Sequence, residues 1–148
     1  MIIADTGFWL ALANANDAYH ARAKAALSRH RGPFITTWPV ITETCHLLVS
    51  RFSTEAELAF VRSASQGAFE IFELEHAHLS RIEVLMTKYR DLPMDLADAS
   101  LVILAEELGS GRILSTDRRD FHAYRWKNRK PFKNLLDPSA RLKRPPTK

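Results

Sequence analysis

The sequence has little that could cross-link the chain or hold it in a membrane. Its one cysteine, Cys45, excludes an internal disulfide, and its apolar runs are all shorter than the roughly 20 residues of a membrane-spanning helix. The first residues lack the basic stretch, apolar core and cleavage site of a secretory signal. We therefore expect a cytoplasmic protein with no membrane partner.

Charge is unevenly distributed along the 148 residues. Residues 125–148 hold nine Lys and Arg against the single Asp137 and carry +8, whereas the whole chain carries +4 and residues 1–124 therefore carry −4. An acidic body attracts cations and a basic end attracts phosphates. We expect one domain over 1–136 and a basic, flexible tail over 137–148, which either binds phosphates or is simply solvated.

Short apolar runs alternate with amphipathic stretches. The runs typical of strands cover 1–4, 34–36, 69–74, 112–115 and 132–136. The stretches with helical spacing, caps and stop signals cover 7–15, 18–30, 39–52, 54–66, 76–90 and 95–108. Strands separated by helices predict an α/β fold with a mainly parallel sheet of four to five strands.

Four carboxylates are expected to meet at one edge of this sheet. Asp5 and Asp117 follow the first and fourth predicted strands at their carboxyl ends, where open α/β sheets bind ligands. Glu43 lies about one turn into the helix after the second strand. Asp98 lies early in the helix after Leu92-Pro93, among apolar neighbours. Each acid alone could instead cap a helix or form a salt bridge, but a chance convergence from separate regions is the weaker explanation.

Such a cluster predicts a divalent cation. Burying carboxylates costs several kcal/mol per ion unless a cation compensates them. Only oxygen ligands are available, which favours Mg²⁺ or Mn²⁺. Zinc is disfavoured because Cys45 and His46 are adjacent, and because His76 and His78 lack further ligands at customary spacings.

These motifs, in this order, resemble the PIN-domain family and its VapC-type toxin ribonucleases over about residues 1–136. They are Asp5-Thr6-Gly7, Ile41-Thr42-Glu43-Thr44, the stretch 92–99 and the stretch 113–121. The resemblance implies a three-layer α/β/α sandwich that hydrolyses RNA with Mg²⁺ or Mn²⁺. It further implies a homodimer that a cognate antitoxin protein neutralises, as the toxin of a type II toxin–antitoxin pair.

The same resemblance assigns roles to individual residues. The catalytic positions fall on Asp5, Glu43, Asp98 and Asp117. Of these, Asp5, Asp98 and Asp117 would hold the metal directly or through water, whereas Glu43 would either ligate it or orient the nucleophile. Supporting roles fall on Thr6, Thr116, Asp95 and Asp120, and the last two could exchange roles with Asp98 and Asp117.

An acidic site repels RNA, so cations must be supplied nearby. The candidates for phosphate contacts are Arg118, Arg119, Arg125 and Lys127. Trp126 could stack on a base, although packing against the body is the preferred interpretation.

Two other functions remain open. An aspartyl-nucleophile phosphatase also begins with a strand that ends in Asp, but it usually needs a second acid two positions later, where this chain has Gly7. A non-catalytic RNA-binding or interaction module could use the same fold, although the presence of all four acids argues against a decayed site.

Overall fold

Five short strands form one parallel sheet in the computed structural model, which describes residues 1–136. The strands, in chain order, are β1 (Ile2–Ala4), β2 (Phe34–Thr37), β3 (Glu70–Phe72), β4 (Arg112–Leu114) and β7 (Lys133–Asn134), and a separate hairpin is formed by β5 (Arg125–Trp126) and β6 (Lys130–Pro131). Their order in the sheet is β3-β2-β1-β4-β7. The predicted basic tail, 137–148, lies outside the described residues.

Helices flank the sheet, which confirms the predicted α/β/α sandwich. They are α1 (Thr6–Ala13), α2 (His20–Arg29), α3 (Trp38–Arg51), α4 (Thr54–Ser65), α5 (Leu79–Lys88), α6 (Leu96–Leu108) and α7 (Arg118–Ala123), with a 3-10 turn at His76–His78 before α5. Within residues 1–136, no helix is both long and apolar enough to cross a membrane.

The two central strands β1 and β2 are buried along their whole length. Every residue of β1 and β2 is buried, as expected for parallel strands that are covered on both faces. Helix α6 is also mostly buried, with Leu101, Val102 and Leu104 fully enclosed. Its thirteen residues extend about 20 Å from a capped start at Asp95 to a left-handed stop at Gly109.

Two elements were missing from the sequence prediction. Helix α7 has six residues, too few to show a helical period. The β5–β6 hairpin has strands of two residues, joined by a turn in which Lys127 and Asn128 both take positive φ. From the sequence this region is recognisable only as a basic cluster, because neither strand is long enough to show alternation.

The hairpin is attached to the far end of α6. The Glu106 carboxylate accepts two hydrogen bonds from Arg81, both at 3.0 Å, and a third from the backbone N–H of Lys127. Arg81 also donates to the Asn128 side chain at 2.9 Å. These bonds fix the hairpin turn about 12 Å along the helix from Asp98, since each helical residue advances 1.5 Å.

Candidate active site

An acidic cleft lies at the carboxyl ends of β1 and β4. It has a volume of about 380 Å³ and is lined by six carboxylates: Asp5, Glu43, Asp95, Asp98, Asp117 and Asp120. Thr6 and Thr116 line it as well. The structure therefore brings all four predicted catalytic acids and all four predicted supporting residues to one cleft.

Asp5 is the most enclosed acid of the cleft. It is 7% exposed, and its two carboxylate oxygens accept hydrogen bonds from the Thr6 N–H at 2.7 Å and the Ser115 hydroxyl at 2.9 Å. Burial raises the pKa of Asp5 to about 6, although those two hydrogen bonds partly oppose the rise. Asp5 therefore has a fixed orientation and an ionised form that is costly without a cation.

Asp98 and Asp95 have different local roles on α6. The Asp95 carboxylate caps the helix by accepting a hydrogen bond from the Asp98 N–H at 2.8 Å. The Asp98 carboxylate accepts one from the hydroxyl of the buried Tyr124 at 3.0 Å. Burial, followed by the charges of Asp95 and Asp5, raises the pKa of Asp98 to about 8. Asp98 is thus the partly buried acid of this pair and Asp95 the helix cap.

Glu43 reaches the cleft from α3. Its pKa is raised to about 7, first by burial and then by the charges of Asp95 and Asp5. A carboxyl group with a pKa near neutrality can accept or release a proton under ordinary conditions. This property fits a residue that orients or activates water as well as it fits a ligand.

Ser115 connects two of the acids, and sequence analysis missed it. Its hydroxyl donates to Asp5 and accepts from the Asp117 N–H at 3.0 Å. Asp117 in turn caps α7 by accepting from the Asp120 N–H at 3.0 Å. The available sequence signal was a serine that ends an otherwise apolar strand, a position where a buried hydroxyl needs a partner.

Thr116, one of the predicted supporting residues, packs on Gly7. A Cβ built on Gly7 would lie 1.8 Å from the Thr116 Oγ1 atom, so this position requires glycine unless Thr116 moves. The neighbouring Thr6 hydroxyl is buried and has no hydrogen-bond partner within residues 1–136. The floor of the cleft thus contains one unsatisfied polar oxygen beside Asp5, as expected where a polar ligand binds.

Arg51 is the single basic residue among the described residues that line the cleft. It lies eight residues after Glu43 on α3 with Leu47 between them, so all three occupy one helix face. Within residues 1–136 it has no ion-pair partner. Sequence analysis missed Arg51 because nothing in its neighbourhood distinguishes it from a solvated surface residue.

Comparison with known proteins identifies the fold family. Residues 2–127 match the PIN domain. The chain belongs to the PIN-domain family. It is 32% identical over 124 residues to Ribonuclease VapC26 of Mycobacterium tuberculosis, a match that covers 84% of this chain and 92% of that protein.

A solved structure supports the same fold. The crystal structure of Mycobacterium tuberculosis VapC20, described as a Sarcin-Ricin loop cleaving toxin, superimposes with a TM-score of 0.74 at 22% identity. The match covers 80% of this chain and 92% of that chain. The predicted family and the predicted sandwich are both confirmed.

The acidic cleft of this PIN domain provides the oxygen ligands that a hard divalent cation prefers. Its donors are all oxygens, and burial and mutual repulsion disfavour the ionised forms of Asp5, Glu43 and Asp98. Within residues 1–136, however, no three His, Cys, Asp or Glu side chains are already grouped closely enough to hold an ion. Mg²⁺ commonly takes only one or two carboxylates and keeps several waters, so such a closed group is not required.

The predicted RNA-contact residues of the PIN domain separate into two pairs. Arg118 and Arg119 begin α7 directly after Asp117, beside the cleft. Arg125 donates to the carbonyl oxygens at the end of α7, at 2.7–3.1 Å, and Lys127 lies in the hairpin turn near the end of α6. Neither Arg125 nor Lys127 lines the acidic cleft. Trp126 is 7% exposed and donates to the Pro131 carbonyl at 3.0 Å, which confirms that it packs against the body.

Proposed function

We propose that residues 1–136 form a metal-dependent endoribonuclease domain and that the protein is the toxin of a type II toxin–antitoxin pair. The observation that carries this proposal is the convergence of Asp5, Glu43, Asp98 and Asp117 in one cleft. The name of the 32% identical relative, Ribonuclease VapC26, supports RNA as the substrate.

In this proposal the acids hold Mg²⁺ or Mn²⁺, with Asp5, Asp98 and Asp117 as the ligands. Such an ion would lower the pKa of a bound water and neutralise charge on the phosphate. Ser115 and Tyr124 keep Asp5 and Asp98 in place through their hydroxyl groups. Glu43 completes the ligand set or takes the proton of the attacking water at its carboxylate oxygen.

The substrate strand must be held against a cleft of negative charge. Arg51, on the Glu43 side, and Arg118 and Arg119, on the Asp117 side, provide cations at two margins of the cleft. Charge-assisted hydrogen bonds from arginine to phosphate oxygens would orient the phosphodiester for in-line attack. Cleavage then leaves 5′-phosphate and 3′-hydroxyl ends.

We further propose a cytoplasmic homodimer that a cognate antitoxin inhibits. Exposed apolar side chains on α3, on α4 and in the link between them support a protein-binding surface there: Val49, Phe52, Leu58 and Val61 are 43–52% exposed. Helix α4 buries none of its residues fully against the rest of the described chain. Such an exposed apolar face is unfavourable in water, and a partner that covers it removes this cost.

The deciding experiment compares purified wild-type protein with the Asp5→Asn and Asp91→Asn variants on a mixed set of RNAs. We expect Mg²⁺- or Mn²⁺-dependent cleavage by the wild type, loss of cleavage in Asp5→Asn, and no change in Asp91→Asn, whose aspartate is exposed outside the cleft. Undiminished cleavage by Asp5→Asn would refute the assignment. RNA binding without cleavage by the wild type would indicate a non-catalytic module, and a trapped acyl-phosphate on Asp5 would indicate a phosphatase.

A further inference from the structure

A second cluster of like charge lies at the opposite edge of the sheet. It comprises Arg29, His30, Arg112, Lys130 and Lys133, here called the basic edge. Arg112 and Lys133 are the first residues of β4 and β7 and pair with each other across the two strands. Because all strands of the sheet are parallel, these first residues lie at the amino edge, whereas Asp5 and Asp117 follow the strands at the carboxyl edge.

Two separate segments, the end of α2 and the hairpin, bring the remaining members to the same edge. Arg29 and His30 end α2 just before β2, and the neighbouring Pro33 carbonyl accepts a hydrogen bond from the Ile2 N–H at the start of β1. The hairpin packs on Gly111, where an added Cβ would lie 2.4 Å from the Trp126 Nε1 atom. Lys130 lies over the ring of that tryptophan, 4.9 Å from its centre.

The charges of the basic edge are not paired within the described part of the chain. None of its cations forms an ion pair with a carboxylate of residues 1–136. The pKa of His30 is lowered, first by partial burial and then by the charges of Arg112, Arg29 and Lys133, and no carboxylate opposes this shift. Exposed cations that are brought together without a counter-charge fit a polyanion.

We infer that the basic edge is an RNA-docking surface, separate from the acidic cleft, that contacts the phosphate backbone of a long or folded substrate. This inference rests on the proposed ribonuclease function. A protein partner would need apolar anchors at its centre, and the defining residues of the basic edge offer charge instead. Helix α6 alone extends about 20 Å from the cleft side toward the hairpin, so only an RNA longer than this distance can contact the cleft and the basic edge at the same time.

The test removes three charges from the basic edge and compares two lengths of RNA. The variant Arg29→Gln/Arg112→Gln/Lys133→Gln should bind a long folded RNA about tenfold more weakly at low salt. The salt slope, that is, the slope of log K against the logarithm of the salt concentration, should become less steep by about 2. It should bind and cleave a short oligonucleotide as the wild type does. The matched control, Arg22→Gln/Arg62→Gln/Lys88→Gln, removes the same charge from exposed positions on α2, α4 and α5.

Binding is measured without Mg²⁺, so it does not depend on catalysis. If the wild type cleaves no RNA but the long-RNA effect is present, the basic edge is upheld and the ribonuclease proposal fails. An unchanged salt slope overturns the inference, as does an equal loss in the control variant. Loss of poly-glutamate binding with unchanged RNA binding also overturns it and indicates an acidic protein partner.

His30 provides an independent readout in the unaltered protein. Phosphates bound at the basic edge would offset the charges of Arg29, Arg112 and Lys133, so the His30 pKa measured by NMR should rise when long RNA is added. The short oligonucleotide should leave it unchanged. A His30 pKa that does not respond to the long RNA would contradict docking at this edge.

Discussion

The two edges of the sheet both concentrate like charge, but they do so in different environments. At the carboxyl edge, Asp5 and Asp98 lie in a cleft, are oriented by buried hydroxyl groups, and have raised pKa values. At the amino edge, Arg112 and Lys133 are exposed on strand ends and form no ion pair within residues 1–136. Salt screens exposed charges and much less so buried ones. The carboxyl edge with its acidic cleft, here called the acidic edge, is therefore suited to one tightly held cation. The basic edge is suited to a diffuse polyanion.

The largest expected effect is a difference in cleavage rate between substitutions of two aspartates at the acidic edge, Asp98 and Asp95. We expect Asp98→Asn to lower the rate of RNA cleavage by about a thousandfold, because it removes a charged oxygen that would hold the metal. Asp95→Asn should lower it less than about tenfold, since asparagine also caps helices well and the capping bond to the Asp98 N–H can persist. Steady-state cleavage rates and Mg²⁺ titrations of both variants measure the difference.

The reverse order of effects would show that Asp95, the exposed cap, is the ligand. Thermal unfolding of both variants serves as the control for folding.

Loss of Tyr124 as a donor offers a further check, because Tyr124→Phe removes only the hydroxyl that contacts Asp98. That variant should weaken cleavage without abolishing it.

An intermediate effect is expected at Arg51, where a cation borders the acidic edge. Arg51→Ala should raise the KM for RNA by about tenfold to a hundredfold with a smaller change in kcat, as expected for the loss of a charge-assisted hydrogen bond to phosphate. Arg51→Lys should recover part of this loss, because lysine keeps the charge but not the planar fork. Arg62→Ala on α4 is the matched control. An equal rise in KM for that control would show that Arg51 makes no specific contact with the substrate.

The positions of the main acids were predictable, because simple rules place them. A carboxylate after a buried parallel strand must lie at the carboxyl edge of the sheet, which located Asp5 and Asp117. Glu43 and Asp98 followed from their places near the starts of helices. The family resemblance then assigned their roles, which stay predictions until cleavage is measured.

The groups that orient these acids were not predictable, because their contacts join distant parts of the chain. Ser115 meets Asp5 across 110 residues, and Tyr124 meets Asp98 across 26. No local period encodes such contacts, since they depend on how strands and helices pack. The basic edge escaped detection for the same reason: Arg29, Arg112 and Lys133 are scattered in sequence, whereas the basic cluster after residue 125 was conspicuous.

The smallest expected effect is on stability, and it concerns the acidic edge without RNA. The pKa values of Asp5, Glu43 and Asp98 are raised to about 6, 7 and 8, so folding favours their neutral forms. The stability they confer is complete near pH 4 and is lost as the pH rises through 6 to 8, where they ionise in the cleft. Added Mg²⁺ should offset this loss, raising the Tm on the order of 5 °C at pH 8 and hardly at all at pH 5. His30 has the opposite effect on the stability of the protein. Because its pKa is lowered in the folded state, its contribution to stability decreases as the pH falls. A Mg²⁺ effect of equal size at both pH values would mean that the cation binds somewhere other than these three carboxylates.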